Sequence, residues 1–334
     1  MSLFDGMSCG QIALTNLGCF PDKYYASEVD KFAIQQTHHV FPETIHIGDV
    51  TRVDVSKLDK IDLIIGGSPC QSFSFAGKQA GMATTENIEI TDLDQYLDLK
   101  IMGFEFTGQS YLFWEYMRIL TEVRKYNPDV KFLLENVVMS KKWESVLTNA
   151  IGVDPVMINS NLVSAQNRKR LYWTNIAQIT QPEDEGIFIR DILEDDVDEK
   201  YYVSDKALDG MINRARVNAE KENGFGARVV SSDGKANTLL VSPQSREHNL
   251  IISASRGRVC EDGKPNCPMT VQKKENPLIK NRGALRWLTP VECARLQTVP
   301  SWYEWVVSDT QIYRMCGNGW TVRVIEHILK NLFV

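Results

Sequence analysis

Apolar residues in this chain come in short runs that end in small or acidic residues, separated by stretches with helical spacing. Ser2-Leu3-Phe4 closes the first run, and Asp5-Gly6-Met7-Ser8-Cys9-Gly10 turns into a helix from about Gln11 to Leu17. Tyr24–Ser27 is a second strand that stops at Glu28 and leads to a helix through about His38. Ile45-His46-Ile47 stops at Gly48-Asp49, and Ile61-Asp62-Leu63-Ile64-Ile65 ends in Gly66-Gly67-Ser68-Pro69-Cys70-Gln71. A helix over about 111–126, a strand Lys131–Leu134 ending at Glu135-Asn136, another helix and a strand pair near 156–160 and 170–176 follow. β-turn-α units at this spacing predict an α/β protein with a parallel, doubly wound sheet. Residues 71–109 are weakly patterned, with five acids and no base from Glu86 to Asp98, and read as a lid or an insertion beside Cys70.

Beyond about residue 200 the pattern changes to short strands and turns, up to about 283. Lys235-Ala236-Asn237 and Lys264-Pro265-Asn266 open two stretches that resemble a weak hairpin repeat. Thr289-Pro290-Val291-Glu292 has Thr at the N-cap, Pro at the first helical position and Glu two residues later, which predicts a helix from residue 290. Gly317-Asn318-Gly319 precedes a closing helix over about Val322–Leu332.

Charge sharpens this division. The chain of 334 residues carries a net −6, yet residues 205–286 hold 15 Lys/Arg against 9 Asp/Glu, a local +6 that leaves −12 for the rest. Residues 183–199 alone contain nine acids and one Arg, Arg190. An acidic body with a basic segment suits an enzyme carrying a phosphate-contacting module, although an unevenly charged solvated surface would look the same. No apolar run approaches the ~20 residues of a membrane span, and no basic-then-apolar signal segment opens the chain. Seven Cys without framework spacing fit a reducing cytosol. Cys260 and Cys267 are the one pair to weigh as metal ligands, and without further Cys or His at suitable spacing no metal is expected.

The strand-end residues Gly6, Gly10, Glu28, Asp49, Cys70 and Glu135 share one rim in such a sheet, where ligands bind. Glycines after the first strand allow close ligand approach, and an acid about 20 residues on is placed for ribose hydroxyls. The turn lacks the glycine fingerprint of a pyrophosphate site, so a nucleoside-bearing cofactor without phosphates suits it better. Cys70, presented by a rigid proline after a buried strand, is a candidate nucleophile. Gly6-x-Ser8-x-Gly10 also matches a hydrolase nucleophile elbow, but such an elbow follows several strands.

In motif content and order the chain resembles the DNA (cytosine-5-)-methyltransferase family, with phage and bacterial members and the eukaryotic de novo enzymes nearest in style. Phe4-Asp5-Gly6-Met7-Ser8-Cys9-Gly10 resembles the cofactor loop, Ser68-Pro69-Cys70-Gln71 the catalytic Pro-Cys-Gln, and Glu135-Asn136-Val137 the Glu-Asn-Val motif. Gln166-Asn167-Arg168-Lys169-Arg170 resembles Gln-x-Arg-x-Arg, and Arg286–Pro300 the helix that organises target recognition. Gly317-Asn318-Gly319 resembles the last cofactor motif, with Gly319 where Ser or Ala is usual.

The resemblance implies a Rossmann-like S-adenosylmethionine-dependent sheet over 1–182 and 312–334. It also implies a smaller, strand-rich target recognition domain over 183–311, entered through the acidic linker 183–199. It implies methyl transfer to carbon 5 of a flipped-out cytosine in duplex DNA, with Cys70 adding to carbon 6. Glu135 would serve ring nitrogen 3 and the amino group, and Arg168 and Arg170 would complete the catalytic set. Phe4, Asp5, Gly6, Ser8, Cys9, Gly10, Glu28, Val29, Asp49, Val50, Ser68, Asn318 and Thr321 would line the cofactor site. Within that set Glu28 takes the ribose, Asp49 the adenine amino group, and Phe4 packs on the ring. Gln71, Ser74, Arg256 and Arg258 would approach DNA, with residues 71–90 as a lid over the flipped base. A monomer in the cytoplasm of a bacterial or phage-infected cell, associated with the nucleoid, is the expected setting. A tRNA-methylating enzyme with the same core, and a silent DNA-binding homologue, are the alternatives.

Overall fold

The computed structural model describes residues 1–73, 81–220, 227–241, 247–253 and 283–333. Its centre is a seven-stranded sheet in the order β3-β2-β1-β4-β5-β7-β6. The strands are β1 (Ser2–Leu3), β2 (Tyr25–Ser27), β3 (Ile45–His46), β4 (Leu63–Gly67), β5 (Lys131–Val137), β6 (Val156–Asn159) and β7 (Lys169–Thr174). The first five are parallel, and β7 runs antiparallel to both β5 and β6. The parallel sheet expected from the pattern is therefore mixed at one edge. Only a short connection separates β6 from β7, too little chain for a crossover, so the second must return antiparallel.

Strand residues alternate between two apolar layers, as a period of two requires. Ile64, Phe132, Leu134, Leu171 and Trp173 face one layer, while Ile65, Leu133 and Tyr172 face the other. On the first side lie α3 (Leu93–Ile101), α4 (Phe113–Tyr126) and α5 (Lys141–Ile151); on the second lie α1 (Cys9–Asn16) and, from the end of the chain, three further helices. The helix α2 (Lys31–Val40) follows β2, capped by Asp30. α1 packs with Gly10 directly over β4, where an added Cβ would lie 2.0 Å from Ile65 Cδ1. The missing side chain of Gly10 thus serves helix–sheet packing.

Residues 71–109 depart from the weakly patterned stretch expected there. Met82 and Ile90 are fully buried, and α3 starts behind an Asp92 cap and buries Tyr96 and Leu99. A fully buried Met or Ile contributes about 1.5–3 kcal/mol, so the segment from Gly81 onward is anchored core and not lid. Residues 74–80, with Ser74, lie outside the described residues.

The stretch after residue 200 also differs from the strands and turns read there. It begins with α6 (Asp205–Glu220), entered where Ser204 Oγ accepts from Ala207 N. Ala207, Leu208, Met211 and Ile212 recur at helical spacing and pack with Val203, Leu250 and Leu285 in a third cluster. This short run of helical periodicity is outweighed in the sequence by the turn residues further on. The two short strands β8 (Ile251–Ile252) and β9 (Leu285–Arg286) pair antiparallel. Residues 254–282 lie outside the described residues, with Arg256, Arg258, Cys260, Cys267 and the second half of the expected repeat.

Ile189 and Ile192 of the acidic linker pack with the sheet, as do Leu288, Leu296, Val299 and Tyr303. The helix α7 (Pro290–Leu296) starts at Thr289 with the capping box read from the sequence. α8 (Asp309–Asn318) and α9 (Val322–Leu329) close the fold against α1. No described helix is long and apolar enough to cross a membrane.

Candidate active site

β4 and β5 pair in register, Gly66 with Leu134 and Gly67 with Glu135, so the last residue of β4 lies beside Glu135 near the end of β5. The two glycines lie inside β4 because neighbours occupy their side-chain space. A Cβ on Gly66 would touch the Tyr116 ring at 3.0 Å, and one on Gly67 would lie 2.7 Å from Trp320 Nε1 and 3.1 Å from Glu135 Oε2. Pro69 and Cys70 follow, half-buried, and Gln71 is exposed in the turn closed by Phe73 N to Cys70 O.

Glu135 and Arg170 sit diagonally across the β5–β7 ladder on one face, since Glu135 pairs with Tyr172 and Val137 with Arg170. Arg170 Nε meets Glu135 Oε1 at 2.8 Å, and Arg170 Nη1 donates to Lys169 O. Trp320 Nε1 donates to the other carboxylate oxygen at 3.2 Å. Both Glu135 oxygens are thereby held by donors from different elements. The adjacent Asn136 donates to Ser68 Oγ at 3.0 Å and ties the end of β5 to the Ser68-Pro69-Cys70 turn.

Burial pushes the Cys70 thiol above its ordinary value, the Glu135 charge adds to this, and Arg170 and Arg168 oppose it. In the resting arrangement Cys70 is a protonated thiol. Arg168, expected among the catalytic groups, is turned away into the protein. It is 2% exposed and donates to the carbonyls of Leu239, Gly317 and Gly319, and its Nε has no partner among the described residues. Burial, reinforced by the Arg170 charge, lowers its pKa to about 10. It gives the site a fixed charge and staples the Gly317-Asn318-Gly319 segment to β7.

Beside this rim lie the ends of the first three strands. Phe4, Gly6 and Ser8 all have positive φ, 59°, 57° and 61°, so the loop after β1 is a chain of left-handed turns. For Phe4 and Ser8 this is a strained conformation of the kind that collects at ligand clamps. Phe4 is half-buried against the α3–α5 layer. Ser8 Oγ points inward to Asp5 Oδ1 at 3.1 Å, and Tyr24 donates to the same oxygen at 3.0 Å. Asp5 Oδ2 is buried with no partner among the described residues. Burial raises Asp5 to about 6, against hydrogen bonds from Ser2, Ser8 and Tyr24. Cys9 Sγ lies 3.6 Å from Trp320 O, and burial lifts its thiol to about 12, so it is packing and not a nucleophile.

Glu28 accepts from Gly6 N at 2.8 Å and from Val29 N and Asp30 N at 2.7 and 2.8 Å. Val29, the next residue, is 71% exposed. Asp49 caps the tight turn Val50–Arg52, its Oδ1 taking Thr51 N and Oγ1, both at 2.9 Å. Val50 is buried beneath that turn. Asn318 is exposed at the end of α8, whereas Thr321 is buried and bonded to Ser160 and Gln297 at 2.8 and 3.0 Å. An unpaired buried carboxylate oxygen, two acidic strand ends and an exposed apolar side chain fit a nucleoside-bearing ligand with cationic or hydroxyl groups. Among the described residues no cluster of His, Cys, Asp or Glu could hold a metal.

Trp320 does not stand out in the sequence. Its signal is present in Gly67, which clears its space, but only the folded neighbours reveal what that glycine makes room for.

Residues 1–98 and 100–334 match the C-5 cytosine-specific DNA methylase family. The Type II methyltransferase M.HpaII of Haemophilus parainfluenzae is 30% identical over 99% of this chain and 88% of its own length. The Type II methyltransferase M1.ScrFI of Lactococcus lactis subsp. cremoris is 30% identical over 92% of this chain and 71% of its own. Among solved structures, the Entamoeba histolytica methyltransferase EhMeth matches with a TM-score of 0.69 at 13% identity, covering 99% of this chain and 96% of that one. A mutant Spodoptera frugiperda DNMT2 gives 0.63 at 20% identity, with 100% and 99% covered. The structural likeness shows the fold, that of S-adenosylmethionine-dependent methyltransferases. With its sheet, rim and motifs in this order, the chain belongs to the C-5 cytosine-specific DNA methylase family. It is a DNA cytosine-5 methyltransferase.

Proposed function

We propose that the protein methylates carbon 5 of a cytosine swung out of duplex DNA, at one short sequence, through a covalent adduct with Cys70. The observation that carries this reading is the Glu135 carboxylate, held by Arg170 and Trp320 and electrostatically coupled to the Cys70 thiol at the same strand ends. Cytosine carbon 5 is a weak nucleophile. Addition of the Cys70 sulfur to carbon 6, its proton passing to solvent, turns the ring into an enamine that attacks an electrophilic methyl; loss of the carbon 5 proton to solvent then restores the 5,6 double bond and expels the Cys70 sulfur. S-adenosylmethionine, when bound, supplies that methyl. Glu135 engages ring nitrogen 3 and the amino group, and Arg170 stabilises charge at the ring oxygen. Arg168 acts through its fixed charge. The Glu135 charge adds to burial in raising the Cys70 thiol. A stacked base cannot reach this half-buried rim, hence the flipping.

The cofactor reading assigns Glu28 and Val29 to the ribose side, Asp49 and Val50 to the adenine, Phe4 to its ring face, and Asn318 and the Asp5–Gly10 backbone to the remainder. Ser68 and Thr321 hold neighbouring elements. The recognition unit is the α6, β8–β9 region with the basic residues up to Arg286, where Arg256 and Arg258 approach DNA, while Gln71 and Ser74 approach it from the turn after Cys70. The relatives named Type II methyltransferases support a reading of sequence-specific marking in restriction-modification. We infer that it acts as a monomer in the cytoplasm, on nucleoid DNA.

The test is incubation with 5-fluorocytosine duplex DNA and cofactor, since fluorine blocks the final loss from carbon 5 and strands the adduct. A covalent complex is expected with the native protein and none with Cys70→Ser. Labelled methyl should enter duplex DNA and not tRNA; the reverse would select the tRNA alternative. Exchanging residues 185–285 with those of a relative of different specificity should move the methylated site.

A further inference from the structure

We propose that Lys100, Glu115 and Arg118 form a positioning unit for the cofactor's adenine, acting through the turn that carries Asp49. This rests on the assignment of Asp49 to the adenine amino group. Glu115 on α4 is completely buried. Its Oε1 accepts from Tyr96 OH and Lys100 Nζ, both at 2.5 Å, and its Oε2 from Arg118 Nε at 2.7 Å. Each cation then continues to backbone. Arg118 Nη2 and Nη1 donate to Val50 O and Val53 O, both at 3.1 Å, and Lys100 Nζ reaches Thr51 O at 3.5 Å. All three carbonyls belong to the tight turn capped by Asp49 or to the residue that closes it.

One carboxylate therefore anchors two cations, and the cations grip the turn from behind. In front, Asp49 Oδ1 is committed to Thr51, so Oδ2 is the oxygen that a ligand can take. Fixing the turn fixes where Oδ2 points. Burial alone would raise the Glu115 carboxyl, yet hydrogen bonds from Lys100, Tyr96 and Arg118 outweigh it and hold it below its usual range. It stays charged, and each cation keeps a full partner. Lys100 and Tyr96 come from α3, the helix built from the acidic stretch that follows Cys70. That insertion thus supplies the third side of a clamp behind the cofactor turn.

The experiment compares calorimetric binding of S-adenosylhomocysteine and its inosine counterpart, which lacks the adenine amino group. The native protein should prefer the adenine ligand by about tenfold or more, the worth of one hydrogen bond to a charged group. Asp49→Ala should abolish the preference; if it does not, the Asp49 assignment fails. Lys100→Met, at a partly exposed position, and Arg118→Lys, which keeps the charge, should each cut the preference while leaving inosine-ligand affinity and cofactor-free DNA binding near native values. A general loss of stability would weaken both ligands alike. The inference is overturned if Asp49→Ala abolishes the preference while both cooperatively folded cation variants retain it.

Discussion

Trp320 Nε1 donates to Glu135 Oε2 across 3.2 Å, joining the residue after Gly317-Asn318-Gly319 to the carboxylate at the end of β5. The contact exists because Gly67 has no side chain: its Cβ would stand 2.7 Å from that indole nitrogen. Trp320→Phe keeps an aromatic ring and removes the donor. A hydrogen bond to a charged group contributes about 1.5–3 kcal/mol, so single-turnover methylation should slow by about tenfold or more with cofactor KM little changed. Gly67→Ala should show the same loss through crowding. An unchanged rate in Trp320→Phe would mean that Arg170 alone places Glu135.

The thiol of Cys70 is held above the usual cysteine value of 9.0 by burial first and the Glu135 charge second. Only the thiolate alkylates. Iodoacetamide labelling of Cys70 in the free enzyme, followed by mass spectrometry, should therefore accelerate with pH through 9 without levelling. Glu135→Gln removes an anion, lowers the thiol's pKa and should shift that profile to lower pH.

Asp5 gives a stability prediction with a definite sign. A carboxyl raised from 3.8 to about 6 on folding stabilises the fold below pH 3.8 and loses that contribution as pH rises through 6. At pH 7.5 the ionised side chain costs on the order of 3 kcal/mol. Asp5→Asn keeps an acceptor for Ser8 and Tyr24 and should raise the melting temperature at pH 7.5. The difference should close below about pH 4. A gap that is independent of pH would point to packing instead.

Gly81 has φ +71°, and a Cβ there would lie 1.7 Å from Trp143 Cζ2, whose ring also packs on Phe73. Its N–H closes onto Ser72 O at 3.0 Å, two residues past Cys70. Gly81→Ala should cost about 1–3 kcal/mol from overpacking and strain and reduce turnover by displacing the Cys70 turn. Trp143→Leu in the same chain should restore part of the lost stability by denaturant unfolding.

Sequence alone determined where the rim residues fall along the chain, although β5 runs past its expected end at Leu134, through Glu135, to Val137. Local rules are short-range: apolar runs stop at Glu28, Asp49, Cys70 and Glu135, and the Thr289–Glu292 cap is written in four consecutive residues. Those positions, read with the motifs that they resemble, carried the family and its chemistry before any contact was known. What they could not carry was partnership between residues far apart along the chain. Arg168 and Arg170 are two residues apart and look alike, yet register sends Arg170 to Glu135 and packing turns Arg168 toward the carbonyls of Gly317 and Gly319. Trp320 meets Glu135 across 185 positions, and Lys100 reaches Thr51 O in the Asp49 turn, anchored by a buried Glu115 that looks like any helical acid. α6 is hard to read because its apolar spacing is brief and sits among turn formers, and its helix is secured by packing on Leu250 and Leu285. A side chain's role at this rim depends on which way its strand faces and what crosses above it, and only the closed sheet decides that.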